Sequence, residues 1–219
     1  MIESYGLRAA LGRLVVTRVR WVIVGATPLL AASLAAVPAI DASSYGELAL
    51  PVQSTMSVLV PWIGVLLVSE LPPAQPVAPT IVAALLYAAA VGLAGALICA
   101  VAVTWWTPAE GAWANVGPAV VGGVLVQLLA QLVGTAAGQL VRPPIVASLA
   151  TIVVPLGLWF VLSGTPAREW LTPAATLPHL LPGQMSPLAW TKWLVVVLVW
   201  GVGPNLLGFV ARRGLQAAP

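Results

Sequence analysis

Four polar side chains on one face of one apolar run are the clearest chemical signal in the sequence. Gln127, Gln131, Thr135 and Gln139 recur every four residues, the repeat of a helix face. Gly123, Gly134 and Gly138 fall near the same face, and Gly134 with Gly138 makes a small-xxx-small pair that lets helices approach closely. Amides and hydroxyls in hydrocarbon are costly unless they meet protein or water, so this face must turn inward. Two roles fit it: hydrogen bonding between helices, or the wall of a conduit. Ionisable groups are scarce. Glu70 stands at the end of an apolar run, and the sole histidine, His179, has no acid or serine paired with it. The single cysteine, Cys99, excludes an intrachain disulfide and a cysteine metal cluster.

Catalytic chemistry is poorly supplied. The sequence has no phosphate-binding Gly-rich loop ending in Lys-Ser/Thr, so ATP is not bound by that route. A rhomboid-like protease wants Gly-x-Ser-x-Gly chemistry with an inward histidine, and Ser163-Gly164 with His179 does not provide it. A membrane metallohydrolase needs several His, Glu or Asp within its spans, and only Glu70 comes near one. An ion-driven carrier keeps a buried acid for its coupling ion, and none stands at mid-span. No catalytic, cofactor-binding or metal residue is therefore assigned, and energy would come from another chain.

The elements that position these residues are apolar helices. Hydrophobic residues make up 60% of the 219 and charged residues 7%, with a mean hydropathy of +1.02. A soluble domain carries about 25% charged residues. Crossing a bilayer core takes about 20 apolar residues in helix. Apolar runs at 21–40, 53–71, 80–105, 117–141, 144–163 and 189–211 predict an all-α polytopic bundle of six transmembrane helices. Trp21, Trp105, Trp106, Trp159, Trp190 and Trp193 sit near run ends, where indole rings favour the headgroup level. Pro28, Pro61, Pro155 and Pro204 lie inside runs and bend them.

The intervals divide the chain. Residues 1–20 precede the bundle, 21–213 form it, and 214–219 are a short tail. No interval is long enough for a soluble core, so any soluble catalytic module belongs to another chain. Leu140-Val-Arg-Pro-Pro-Ile145 makes a tight hairpin with Arg142 at its edge, and Ser69–Pro79 is a stiff proline-rich loop. The outer interval, about 164–188, is apolar yet proline-rich. It is expected to form short helices lying in the interface or dipping into the membrane. Tyr5–Arg20 is moderately amphipathic, with Leu7, Ala10, Leu11, Leu14 and Val15 on one side and Arg13 and Arg20 opposite. It reads either as an interfacial helix open to a partner or as a plain basic topology signal.

Orientation follows from the basic residues. With the N-terminus inside, the cytoplasmic side holds Arg8, Arg13, Arg18, Arg20, Arg142, Arg212 and Arg213, and the outside only Arg168 and Lys192. Both termini are then cytoplasmic. The net charge of +3 belongs to these flanks and to anionic headgroups, not to nucleic acid. The first run is longer than a signal-peptide core, and its removal would leave one terminus outside, so it is read as retained. Eight arginines against one lysine, with abundant Ala and Val, suit a GC-rich bacterial genome.

This layout resembles the membrane subunit of a type 2 ABC exporter, over essentially the whole chain. The resemblance rests on the basic N-terminal helix, six spans with both ends inside, and the hairpin Gly134-x-x-x-Gly138-x-x-x-Arg142-Pro-Pro-Ile145. The outer interval before the last span and the closing Trp200-Gly-x-Gly-Pro-Asn-Leu-Leu-Gly208 with Arg212-Arg213 complete it. It implies a permease in the bacterial plasma membrane, paired with a second permease as homo- or heterodimer over separate ABC ATPase subunits that bind the ATP. Coupling to the ATPase would fall to the N-terminal helix with Arg13 and Arg20, to Ser69, Glu70 and Leu71, and to Arg142. The loop after Glu70 lacks the basic residues common in the family. The cargo would be hydrophobic or amphipathic, such as a lipid, peptide antibiotic or drug, since charge is nearly absent from the spans. A non-transport scaffold or sensor, an ATP-independent carrier and an intramembrane enzyme are the competing readings.

Overall fold

The computed structural model describes residues 2–14, 17–36, 44–72, 75–106 and 111–217. These residues form helices throughout: α1 (Ile2–Arg13), α2 (Arg18–Ala36), α3 (Tyr45–Ser69), α4 (Ala78–Trp106) and α5 (Val116–Leu140), then α6 (Pro144–Val161), α7 (Ala167–Leu171), α8 (Pro173–Leu180), α9 (Pro187–Val196) and α10 (Gly203–Ala217). A π-helical turn, Val197–Val202, joins α9 to α10 in one continuous rod. Five of these elements are long and apolar enough to cross a membrane: α3, α4, α5, α6 and the rod over Pro187–Gly214. The first expected run, 21–40, corresponds to α2. Its apolar stretch, Arg20–Ser33, is shorter than the others, and residues 37–40 lie outside the described ones.

Three boundaries differ from expectation for physical reasons. Helix α3 starts at Tyr45 rather than 53, because Ser44 caps it by accepting the Glu47 N–H at 3.4 Å. Burial of Tyr45, Leu48 and Val52 then carries the helix through Pro51. At its other end Glu70 is the C-cap, so Glu70 and Leu71 lie beyond the helix rather than inside it. The last span begins at Pro187, where Ser186 accepts the Ala189 N–H at 3.1 Å.

Helices α3 and α5 form the spine. Tyr45, Leu48, Val52 and Met56 of α3 pack with Ala88, Cys99 and Val103 of α4 and Ala119 of α5. The approach of α5 to α3 demands glycine: a Cβ on Gly134 would stand 2.2 Å from the Pro61 carbonyl oxygen. By contrast α6 buries only Ala147, Ser148 and Thr151, and leaves Ile145, Val153, Phe160 and Val161 open. The rod likewise exposes Leu194, Leu198, Leu206 and Val210. These are surfaces suited to lipid.

Helix α1 lies against the start of α4 with part of its expected apolar side inward: Leu7 and Leu14 are half-buried, and Leu14 packs against Ile23, Ile63 and Leu67. Ala10 is buried and Gly6 touches Pro79, while Leu11 is exposed. Arg13 turns inward, where Gln75 and Thr80 offer acceptors, and Arg20 is buried at 2% exposure rather than facing solvent. Val15 lies outside the described residues. This end of the bundle holds α1, the start of α4 and the end of α3, against which α10 sets Arg212. The opposite end gathers the start of α3, the approach to α5, and the short helices α7 and α8.

Candidate functional site

The predicted polar face of α5 is closed. Gln127, Gln131 and Thr135 are each fully buried. The Gln127 Nε2 donates to Oε1 and to the backbone oxygen of Gln53, both at 2.9 Å, and Gln53 Nε2 donates to the Gly92 oxygen at 2.9 Å. Gln131 faces the Val60 oxygen at 2.6 Å and the Gly64 N–H at 3.1 Å, and the amide orientation that satisfies both donates to the first and accepts from the second. Thr135 Oγ1 and Gln139 Nε2 both donate to Asn205 Oδ1 at 2.9 Å. Asn205 in turn donates to the oxygens of Leu132 and Gly201, tying the rod to α5 just after the π-helical turn. The glycines serve the same seam: a Cβ on Gly123 would meet the Gln53 amide at 2.6 Å, and one on Gly138 the Val65 oxygen at 2.8 Å. Of the two roles left open by the sequence, the described residues form interhelical hydrogen bonds on this face.

The residues expected to touch an ATPase fall into a connected basal cluster and two outliers. Arg20 forms an ion pair with Glu70 and also donates to the Arg13 oxygen. Arg13 donates to Thr80 Oγ1 at 3.1 Å and Gln75 Oε1 at 3.3 Å. Sequence reasoning gave Arg212 only a topological role. It is buried, and its Nη2 donates to the oxygens of Val68 at 3.0 Å and Leu71 at 3.3 Å, the negative end of α3. Leu71 thus takes part through its carbonyl. Ser69 turns back to the Leu66 oxygen, and Arg142 stays exposed in the α5–α6 turn and joins none of these bonds. The cue to Arg212 was weak: a basic pair after the last span marks orientation before it suggests a cap.

At the other end, α8 tucks into the bundle. Leu180 and Leu181 are buried with Val126 and Trp193, and Gly122 makes room, since its Cβ would stand 2.2 Å from the Leu180 oxygen. Trp200 Nε1 donates to the Leu171 oxygen at 2.6 Å, fixing α7 to the rod. Two cavities flank α8. The first, about 240 Å³, lies between α3, α5, α6, α8 and α9, against Ser57, Ala130, Pro155, Leu177 and Trp193. Its hydroxyls turn away: Ser54, Ser57, Thr151 and Thr176 donate to Leu50, Ser54, Ser148 and Pro173 oxygens at 2.5 to 2.9 Å. Its wall is therefore apolar.

The second cavity, also about 240 Å³, is lined by Trp159, Arg168, Glu169, His179 and Lys192 among others. The Arg168 guanidinium lies 4.3 Å from the centre of the Trp159 ring. Lys192 pairs with Glu169 and lies 5.8 Å from the Trp170 ring centre. The hydrogen bond and charge of Lys192 hold the exposed Glu169 carboxyl below its ordinary pKa. Neither cavity was legible in the sequence, because α8 alone decides where their walls meet. Among the described residues no group of three or more His, Cys, Asp or Glu could hold a metal ion.

No family model, no curated protein and no solved structure matches this chain.

Proposed function

We propose that the chain is the membrane-spanning permease subunit of an ATP-driven exporter of the type 2 ABC kind. It crosses a bacterial plasma membrane six times with both termini cytoplasmic, and works as a dimer with separate ATPase subunits beneath. The cargo is hydrophobic or amphipathic. The observation that carries this reading is the basal cluster. Helix α1, the start of α4, the ends of α3 and α10 and the buried Arg20 and Arg212 are bound into one body. A soluble partner pressing on α1 or on the loop after Glu70 would move α2, α3, α4 and the rod together. The Arg20–Glu70 pair would transmit the push to the α3 spine, and Arg212 would pass it to the rod that holds the outer helices through Trp200. Chemistry stays on the ATPase, and this chain binds and conducts.

The test is a mild-detergent pull-down of the tagged chain from its native host, with mass spectrometry of what co-purifies. Recovery of an ABC ATPase whose turnover rises in liposomes holding this chain is the expected result. A second permease in the same eluate would make the dimer a heterodimer. Recovery of the chain alone at every detergent strength would overturn the reading in favour of a scaffold or an ATP-independent carrier.

A further inference from the structure

The two cavities beside α8 belong together. Thr176 borders both, and consecutive residues on either side divide between them: Ala174 faces the apolar one and Ala175 the charged one, as do Trp193 and Lys192. One compartment is walled by aliphatic, proline and aromatic side chains at mid-bundle. The other, at the outer end, presents two permanent cations, Arg168 and Lys192, against one carboxylate, Glu169, with His179 at its edge. Lys192 is engaged by Glu169, whereas among the described residues no hydrogen bond holds the Arg168 guanidinium, which stacks on Trp159 and shares the charge of Glu169 at longer range. Stacking leaves its in-plane N–H groups available for a carboxylate or phosphate.

We propose that the adjoining cavities form one site for an anionic amphiphile, its headgroup between Arg168 and Lys192 and its apolar chain between α3, α5 and α6. The net charge at the outer compartment selects an anion. An apolar cavity of about 150 Å³ already holds benzene, so 240 Å³ accommodates a segment of alkyl chain. Thin packing of α6 places the chain's path on the lipid side, and the surrounding tryptophans set the headgroup at the membrane surface. The site deepens the reading of an amphipathic cargo and rests on it for transport; binding is a property of this chain alone.

The test uses the full chain in phosphatidylcholine nanodiscs, with thermal shift and native mass spectrometry. The probes are lysophosphatidylglycerol, oleate, diacyl phosphatidylglycerol, lysophosphatidylcholine and inorganic phosphate. The anionic amphiphiles are expected to bind and raise Tm, with lysophosphatidylcholine and phosphate at least roughly tenfold weaker. Arg168→Gln should weaken anionic binding by about tenfold, with Arg168→Lys partly restoring it. Ala174→Trp should weaken binding through the chain compartment with little change in the unliganded Tm. Equal binding of the neutral lysolipid, an equal shift with phosphate alone, or undiminished binding to Arg168→Gln would each overturn the site. Binding of diacyl lipid as tightly as lysolipid upholds it and names membrane phospholipid as the source; preference for single chains upholds it and names a free amphiphile. No ATPase enters this experiment, so anionic binding without a co-purifying ATPase sinks the permease reading alone, and the reverse sinks the site alone.

Discussion

The two sides of α5 are built by opposite rules. Toward α3 and the rod the helix presents Gln127, Gln131 and Thr135, all fully buried and hydrogen-bonded, with glycines that bring the α3 and α5 backbones together. Toward α6 it presents Val126, Leu129, Ala130 and Val133 to a cavity of about 240 Å³. In a membrane the polar residues glue and the apolar ones do not, because lipid competes for an apolar face as well as another helix does. The polar side of α5 is therefore the fixed spine, and the apolar side is where another molecule can sit or a helix can move.

The tightest point of the spine is Gly134. Gly134→Leu places a branched side chain against the Pro61 carbonyl and should cost about 3 kcal/mol or more in detergent thermal unfolding. Ala130→Leu, four residues earlier on the cavity side, should cost little. Equal losses would mean both sides are equally tight. The basal clamp behaves like the spine. Glu70→Gln leaves buried Arg20 without its counter-charge and should cost about 2 kcal/mol, less than a fully buried pair because the Glu70 carboxylate is half exposed. Adding Arg20→Gln should cost less than the sum of the single changes.

Within the seam, Gln127→Leu orphans Gln53 Oε1 and should cost about 1 kcal/mol. The double change Gln53→Leu with Gln127→Leu should then be less damaging than additivity requires, as read from a double-mutant cycle. On the cavity side, Ser57→Ala removes only a hydroxyl bonded to its own helix and should stay within about 0.5 kcal/mol. The smallest effect is at the outer rim. Glu169 has a depressed carboxyl pKa, so its bond to Lys192 is present above the ordinary carboxylate range and is lost as pH falls through the lowered value. Lys192→Gln should raise the Glu169 titration toward the ordinary value in a carbon-detected NMR titration.

The spine was legible because its signal is local. A four-residue step of amides with interleaved glycines reads as one helix face whatever surrounds it. The sequence could not choose between a seam and a conduit, since that depends on where Gln53 and Asn205 arrive from other helices. The start of α3 was set too late, because the Ser44 cap and the burial of Tyr45, Leu48 and Val52 carry the helix through Pro51 before the apolar run begins. The apolar stripe of α1 put Ala10 and Leu14 inward but left Arg13 and Arg20 opposite, because the pattern does not show the three acceptors (Gln75, Thr80 and Glu70) that draw both arginines in. The cavities are tertiary outcomes of α8 folding back, and no spacing encodes them.

The most direct test of the contrast compares neighbouring residues on one helix at one depth. In a Cys99→Ser background, Ala130→Cys faces the apolar cavity and Gln131→Cys faces the seam. Their labelling in membranes by N-ethylmaleimide, a small permeant reagent, reports which side opens. Position 130 should label at least about tenfold faster than 131, with labelling at 130 slowed by lysophosphatidylglycerol. Equal rates at the two positions, or faster labelling at 131, would contradict a closed polar spine beside an open apolar site.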